Sequence, residues 1–247
     1  MNIYPHDTVV PFKNSTESKK KQVENMFDKI AFRYDFLNRF LSAGIDVGWR
    51  KKAIRQLISL QPKNILDVAT GTADFALTCY QILKPEKITG IDISDKMLDI
   101  GRKKIAKAGL KNSIELLYGD SEAILFDDNS FDAVTVAFGV RNFENLEKGL
   151  SEIKRVLKPG GKLLVLECTK PTWPVIKQLY VFYMKFITPK IGKIIAKNNE
   201  AYLYLNDSVL HFPQKESFIH ILKQSGYRNT FYKTLTLGIC TIYCAEK

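Results

Sequence analysis

Residues 64–76 read NILDVATGTADFA: a short apolar run carrying Asp67 and a turn around Gly71, then a helical pattern opening at about Asp74. The run is too short for a helix and reads as a buried strand. A glycine in such a turn lets backbone approach a ligand closely, and the following helix N-terminus offers unpaired N–H groups. Working outward, four more strand-like runs follow, KITGIDI, IELLYG, FDAVTVAF and KLLVLEC, with helical stretches between them. Such alternation predicts a doubly wound α/β fold, a parallel sheet with crossover helices on both faces. Two last runs, YRNTFYK and LGICTIYCAEK, lie close enough for a hairpin and bring the strands to seven, mostly parallel with an antiparallel hairpin strand at the C-terminal end.

A chain of 247 residues fits one domain, residues 1–247, with a continuous core. The segment up to about Lys21 is polar, carries Lys19-Lys20-Lys21, and is expected to be a mobile arm. Val23, Met26, Phe27 and Ile30 then follow helical spacing, as do Trp49, Ile54, Leu57 and Ile58, which places two helices before the first strand. A further helix is expected near Glu216 to Ser225. No apolar run reaches the roughly 18 to 20 residues of a membrane span, and the start MNIYPHDTVV lacks a signal-peptide core, so a cytoplasmic location is expected. Cys79, Cys168, Cys240 and Cys244 lack a C-x-x-C framework and read as buried thiols rather than zinc ligands or disulfides. A net charge of +11 draws the protein toward nucleic acid, anionic lipid or an acidic substrate, and charge alone does not choose.

The turn at Gly71 lacks the second and third glycines of G-x-G-x-x-G, so a pyrophosphate is not the expected guest. About 20 residues later the second strand ends at Asp92, whose carboxylate can accept both ribose hydroxyls of an adenosine. The competing role, a helix N-cap, is better filled by Ser94 or Asp95. Gly119-Asp120-Ser121 follows the third strand, where an acid and a backbone N–H can read an adenine edge. Three loops at successive strand ends form one crevice.

In order along the chain, KIAFRYDFLN, DVATGTADF, GIDISDKML, FGVRNF and EIKRVLKPGGKLLVLE resemble the ubiquinone/menaquinone biosynthesis C-methyltransferase family. The resemblance extends from about Val23 through YLYLNDSVLHFP to the C-terminus. LKPGG is shared by many methyltransferases, whereas KIAFRYDFLN together with FGVRN is far more restrictive. The resemblance implies a class I, Rossmann-like methyltransferase that uses S-adenosylmethionine, with cofactor contacts at Thr72, Asp92, Asp120 and Ser121 and with Asp67 and Gly71 shaping the pocket. Ala73 stands where many members have glycine, in a GTAD form similar to menaquinone-pathway sequences, and Leu210-His211 depart from the usual spelling before Phe212-Pro213.

The acceptor so implied is a ring carbon of demethylmenaquinol. Loss of a phenolic proton makes that carbon nucleophilic, and it attacks the sulfonium methyl in line. The enzyme must align two reactants, stabilise a phenolate and exclude water. Arg141 and Asn142, after the fourth strand, are the candidates for steadying the phenolate or a proton-accepting water, with Tyr34 and Asp74 as further candidates for orienting the ring hydroxyl. Bland alternatives stand beside each: a structural salt bridge for Arg141, packing or a lid for Tyr34, helix capping for Asp74. His6, His211 and His220 are dispersed and poor candidates for a base.

The insertion at residues 170–205 is expected to be a substrate cap. Between Trp173 and Asn198 it combines aromatic and isoleucine side chains with Lys177, Lys185, Lys190, Lys193 and Lys197 and no acid, a composition suited to peripheral contact with an anionic membrane, where a polyprenylated quinol resides. A cap packed on the core with solvated lysines is the alternative. Rival functions are methylation of a polyprenyl benzoquinol in ubiquinone synthesis, an RNA or DNA methyltransferase favoured by the charge, and a binding module with a dead cofactor site. The absence of a recognisable RNA-binding motif speaks against nucleic acid, and the intact motif residues against a dead site.

Overall fold

Every run read as a strand becomes one in the computed structural model, which describes residues 4–171, 173, 174, 178 and 200–247. The strands are β1 (Asn64–Val68), β2 (Lys87–Asp92), β3 (Ile114–Tyr118), β4 (Phe131–Ala137), β5 (Leu157–Cys168), β6 (Arg228–Leu235) and β7 (Cys240–Glu246). They form one sheet of order β3-β2-β1-β4-β5-β7-β6. The pairs β1–β2, β2–β3, β1–β4 and β4–β5 are parallel, while β7 runs antiparallel to both β5 and β6. Because β1 has β2 on one side and β4 on the other, strand order reverses at β1, and a crevice opens beyond the carboxyl ends of these strands.

Helices cover both faces: α1 (Lys19–Leu41), α2 (Ile45–Ile54), α3 (Asp74–Leu83), α4 (Asp95–Lys107), α5 (Leu146–Val156), α6 (Glu200–His211) and α7 (Glu216–Gln224). Strand residues alternate between two cores, as a sheet buried on both faces requires. Ile65, Ile88, Leu164 and Ile242 pack on one side with Trp49 of α2, Phe75 of α3 and Leu98 of α4. Leu66, Val134, Val165 and Tyr243 pack on the other with Leu150 and Ile153 of α5 and Phe218 of α7. Ser94 caps α4 by accepting from the Met97 amide, as the sequence suggested. The four cysteines are free, and all but half-buried Cys168 are buried.

Two expectations need correction or limitation. The polar segment before Lys21 is docked rather than an arm: a 3-10 turn over Pro5–Thr8 buries His6 edge-on against Phe212, and the Tyr4 hydroxyl donates to Glu147. Each lysine of the basic run has its own place. Lys19 is buried with its ammonium on the His6 carbonyl, Lys20 pairs with Asp120 and Glu122, and only Lys21 stays exposed, beside Glu24. Polar composition hid this docking because the segment's partners are backbone carbonyls and distant acids. Of the expected cap, residues 172, 175–177 and 179–199 lie outside the described residues, and the remainder leads into α6. Among the described residues, no helix is long and apolar enough to cross a membrane.

Gly90 of β2 faces the Thr70 turn so closely that a Cβ there would stand 2.6 Å from Leu116 and 2.8 Å from the Thr70 hydroxyl. Gly90→Ala is therefore expected to destabilise the fold by about 1–3 kcal/mol through overpacking. The urea midpoint should fall while the slope of the transition stays the same, and an unchanged midpoint would show that the turn yields freely.

Candidate active site

The turn after β1 is built around a buried acid. Asp67 accepts from the Thr70 hydroxyl at 2.7 Å and the Thr135 hydroxyl at 2.5 Å, so it ties the turn to β4 rather than facing a ligand. Burial pushes its pKa up to about 6 against the pull of those two hydroxyls. The chain then passes through left-handed conformations at Ala69, Gly71 and Ala73. For the two alanines this costs roughly 1–2 kcal/mol each, strain of the kind that collects at functional turns.

Beyond this turn lies a cleft of about 660 Å³. Its walls include Gly71, Asp92, Asp120 and Ser121, four of the six expected cofactor residues. Asp92 takes the Gly71 amide on one oxygen at 2.8 Å and the Ser94 amide on the other at 2.9 Å. Each oxygen keeps a second lone pair, which suits two vicinal hydroxyls. Burial raises its pKa to about 6, opposed by these backbone donors. A Cβ on Gly71 would meet nothing within 4 Å, and the residue's positive φ exposes its backbone to the cleft. Asp120 accepts from the Glu122 amide and pairs with Lys20 at 2.6 Å, so the N-terminus of α1 closes one side. The acceptor set at Asp92 and Asp120 fits the hydroxyls and base of a nucleoside.

Thr72 and Asp74 do not line the cleft. The Thr72 hydroxyl donates to Asp35 of α1 and accepts from Lys104 of α4, while Asp74 is held by Lys104 at 2.6 Å and Arg50 at 3.5 Å. The side chains expected to touch cofactor and ring instead knit α1, α2 and α4 to the start of α3. Asp74 is therefore corrected from a ring-orienting residue to a member of this charge network.

A second, more apolar cavity of about 1140 Å³ abuts the first, with Phe27, Tyr34, Phe138 and Asn142 lining both. Its other walls include Met26, Ile30 and Leu37 of α1, Trp49 of α2, and Ala201 and Tyr204 of α6. Arg141 and Asn142 sit in a 3-10 turn after β4, and both reach this cavity. Arg141 is buried and ion-paired with Glu167 of β5, which is itself fully buried, and also donates to the Phe138 carbonyl at 2.7 Å. The pair keeps the guanidinium charged well above the usual range. Its Nε has no hydrogen-bond partner among the described residues. Asn142 accepts from the Tyr204 hydroxyl at 3.1 Å, and Tyr34 packs edge-on against Phe27. Burial raises the pKa of Tyr34 and lifts that of Tyr204 well above normal, so both remain neutral donors.

Sequence reasoning missed Glu167, Phe138 and Tyr204. Glu167 carried a usable signal: a lone acid inside an apolar strand needs a cationic partner. Phe138 adopts a left-handed conformation at φ 59°, which no residue type announces, and Tyr204 shares helical spacing with ordinary core residues.

A switch-point cleft of this chemistry, on a seven-stranded sheet with one reversed strand, defines a class I S-adenosylmethionine-dependent methyltransferase. A Thermotoga maritima S-adenosylmethionine-dependent methyltransferase, described as a possible histamine N-methyltransferase, shares the fold at 18% identity with a TM-score of 0.62, over 90% of this chain and 99% of that one. The chain belongs to the ubiE/COQ5 methyltransferase family, which residues 15–247 match. A demethylmenaquinone methyltransferase of Bacteroides fragilis is 47% identical over 99% of both chains. A ubiquinone/menaquinone biosynthesis C-methyltransferase UbiE of Geotalea daltonii is 44% identical over 93% of this chain and 97% of its own.

Asp92→Ala is expected to weaken S-adenosylmethionine binding by about 1.5–3 kcal/mol, the worth of hydrogen bonds to a charged group, without unfolding the protein. For the wild type, affinity should decline as pH falls through about 6, because protonating Asp92 removes an acceptor that the hydroxyls need. Calorimetric titration checks both, and an affinity flat from pH 7 to pH 5 would remove the carboxylate from the binding step.

Proposed function

We propose that the chain methylates a ring carbon of demethylmenaquinol, giving menaquinol, with S-adenosylmethionine as donor. The observation that carries this reading is the common wall of the two cavities: Tyr34, Phe138 and Asn142 face the cleft that holds Asp92 and Asp120 on one side and a larger, more apolar cavity on the other. Such a pair holds a charged nucleoside and an oily aromatic ring so that they meet at one place. The name of the Bacteroides fragilis relative supports the menaquinone side of the assignment. The Geotalea daltonii relative keeps the ubiquinone precursor as an alternative acceptor.

S-adenosylmethionine supplies, when bound, an electrophilic sulfonium methyl. The protein's task is to hold the ring and manage its proton. Arg141 is ion-paired with Glu167, so it does not stand as a free cation that would trap the phenolate too tightly. The Arg141 side chain borders the cavity, where its charge favours a phenolate oxygen or orders the water that takes its proton. Asn142, whose side-chain carbonyl accepts from Tyr204, donates one amide N–H to the Phe138 carbonyl at 3.4 Å and keeps the other for the same region. Burial keeps the Tyr34 phenol protonated at neutral pH, which makes it a donor to the ring oxygen rather than a base. The apolar walls exclude the water that would otherwise solvate the nucleophile.

The reading treats residues 1–247 as one catalytic domain and includes a peripheral contact with anionic membrane, because a polyprenylated acceptor lives in lipid. The Trp173–Asn198 stretch, expected to make that contact, lies largely outside the described residues. The basic charge serves this contact rather than nucleic acid.

Two outcomes test the reading. Single-turnover methylation should require the reduced acceptor, since only the quinol yields a nucleophilic carbon; equal rates with strictly oxidised quinone would sink it. Tyr204→Phe should lower kcat on the order of tenfold by releasing Asn142, a loss near 1.4 kcal/mol, while S-adenosylmethionine affinity stays the same. Equal loss of cofactor affinity would assign Tyr204 to folding instead.

A further inference from the structure

The outer side of α1 has the character of a contact surface. Phe32, Phe36 and Phe40 are 73%, 58% and 52% exposed, and the Phe36 and Phe40 rings stack at 5.9 Å. Spaced four apart, they lie along one stripe of the helix. At 3.6 residues per turn, Lys29, Arg33 and Arg39 fall on the same third of the circumference. The acids of this part of the helix are turned away: Asp28 accepts from Ser94, and Asp35 takes Thr72 and Lys104. Lys29 lies over the Phe12 ring and Arg33 over the Phe32 ring, and neither forms an ion pair among the described residues. The stripe is thus aromatic, flanked by cations and free of acids.

A neighbouring side of the same helix, about a third of the way round, lines the acceptor cavity through Met26, Ile30, Tyr34 and Leu37. Only one helix, about 10–12 Å across, separates that cavity from the aromatic stripe. We infer that the outer face of α1 seats the protein on an anionic lipid bilayer, with Phe32, Phe36 and Phe40 entering the headgroup region and Lys29 and Arg33 meeting lipid phosphates. Exposed aromatics bordered by cations match such a surface in both polarity and charge. A wall helix resting on lipid brings the cavity within reach of an acceptor whose tail stays in the bilayer. This surface is distinct from the Trp173–Asn198 stretch, and it rests on the quinol reading only for its purpose.

The test uses the full chain, a Phe32→Ser/Phe36→Ser/Phe40→Ser variant and a Lys29→Gln/Arg33→Gln variant. Wild type should co-sediment with mixed phosphatidylglycerol–phosphatidylcholine vesicles and weakly with phosphatidylcholine alone. The triple variant should bind the mixed vesicles about tenfold more weakly. The charge variant should lose affinity at low salt and match wild type at high salt. Both variants should methylate a short-tailed, water-soluble demethylmenaquinol analogue at the wild-type rate and the vesicle-embedded prenylated acceptor more slowly. Wild type that ignores anionic vesicles, or a triple variant that binds them as wild type does, overturns the proposal. So does a wild-type dimer that the triple variant dissociates without loss of vesicle affinity, which would make the stripe an interface between copies. Vesicle binding as expected with no methylation of either acceptor would instead retire the quinol reading and leave the surface standing.

Discussion

The buried ion pair between Arg141 and Glu167 is the constraint on which the acceptor side of the molecule depends. Taking two charges out of water costs several kcal/mol per ion, and only close geometry with further hydrogen bonds offsets it. Here the guanidinium also donates to the Phe138 carbonyl, while Glu167 also accepts from the amides of Arg141 and Cys168. The pair locks the short turn after β4 onto β5. The turn in turn fixes Asn142, on which Tyr204 of α6 leans, and the left-handed Phe138 that divides the two cavities. Strain at Phe138 persists because these partners over-determine its position.

α1 plays an equally broad part from the other direction. Its first turn closes the cofactor cleft through Lys20, its middle supplies Tyr34 to both cavities, and its last turns reach Asp46 and Asp74 through Arg39. The chain of Asp35, Lys104, Asp74, Arg50 and Asp46 joins α1, α4, α3 and α2 across the rim of the sheet. Motion of α1 would therefore be felt at both the nucleoside and the ring, because one rigid element borders both.

The sheet was legible because its central strands are buried, apolar and separated by helical runs, a pattern that survives any detail of packing. The gathering of Asp92, Gly71, Asp120 and Ser121 around one cleft was legible for a related reason: topology alone brings successive strand ends to one crevice. Asp67, expected to shape the cofactor pocket, does not line the cleft and instead anchors the turn beside it through Thr70 and Thr135. Thr72 and Asp74 were misread because their partners, Asp35, Lys104 and Arg50, lie far away in sequence, and no local spacing reveals a tertiary charge network. The docked start of the chain was hidden in the same way, since Tyr4 finds Glu147 and Lys20 finds Asp120 and Glu122 only after α5 and the loop after β3 are in place. Arg141 forms the salt bridge that the sequence offered as its structural alternative, and it also borders the larger cavity.

The reversed strand β7 has a consequence for how the molecule is assembled. It lies between β5 and β6 although the chain makes β6 first. Until residues 240–246 have emerged, β5 presents an unpaired and almost wholly apolar edge, and β6 has no neighbour in the sheet to pair with. The final hydrogen-bonded ladder is thus inserted like a wedge rather than added at a border. A nascent or truncated chain stopping short of Cys240 would carry an open edge in the middle of its sheet, the kind of template to which other unfinished chains adhere.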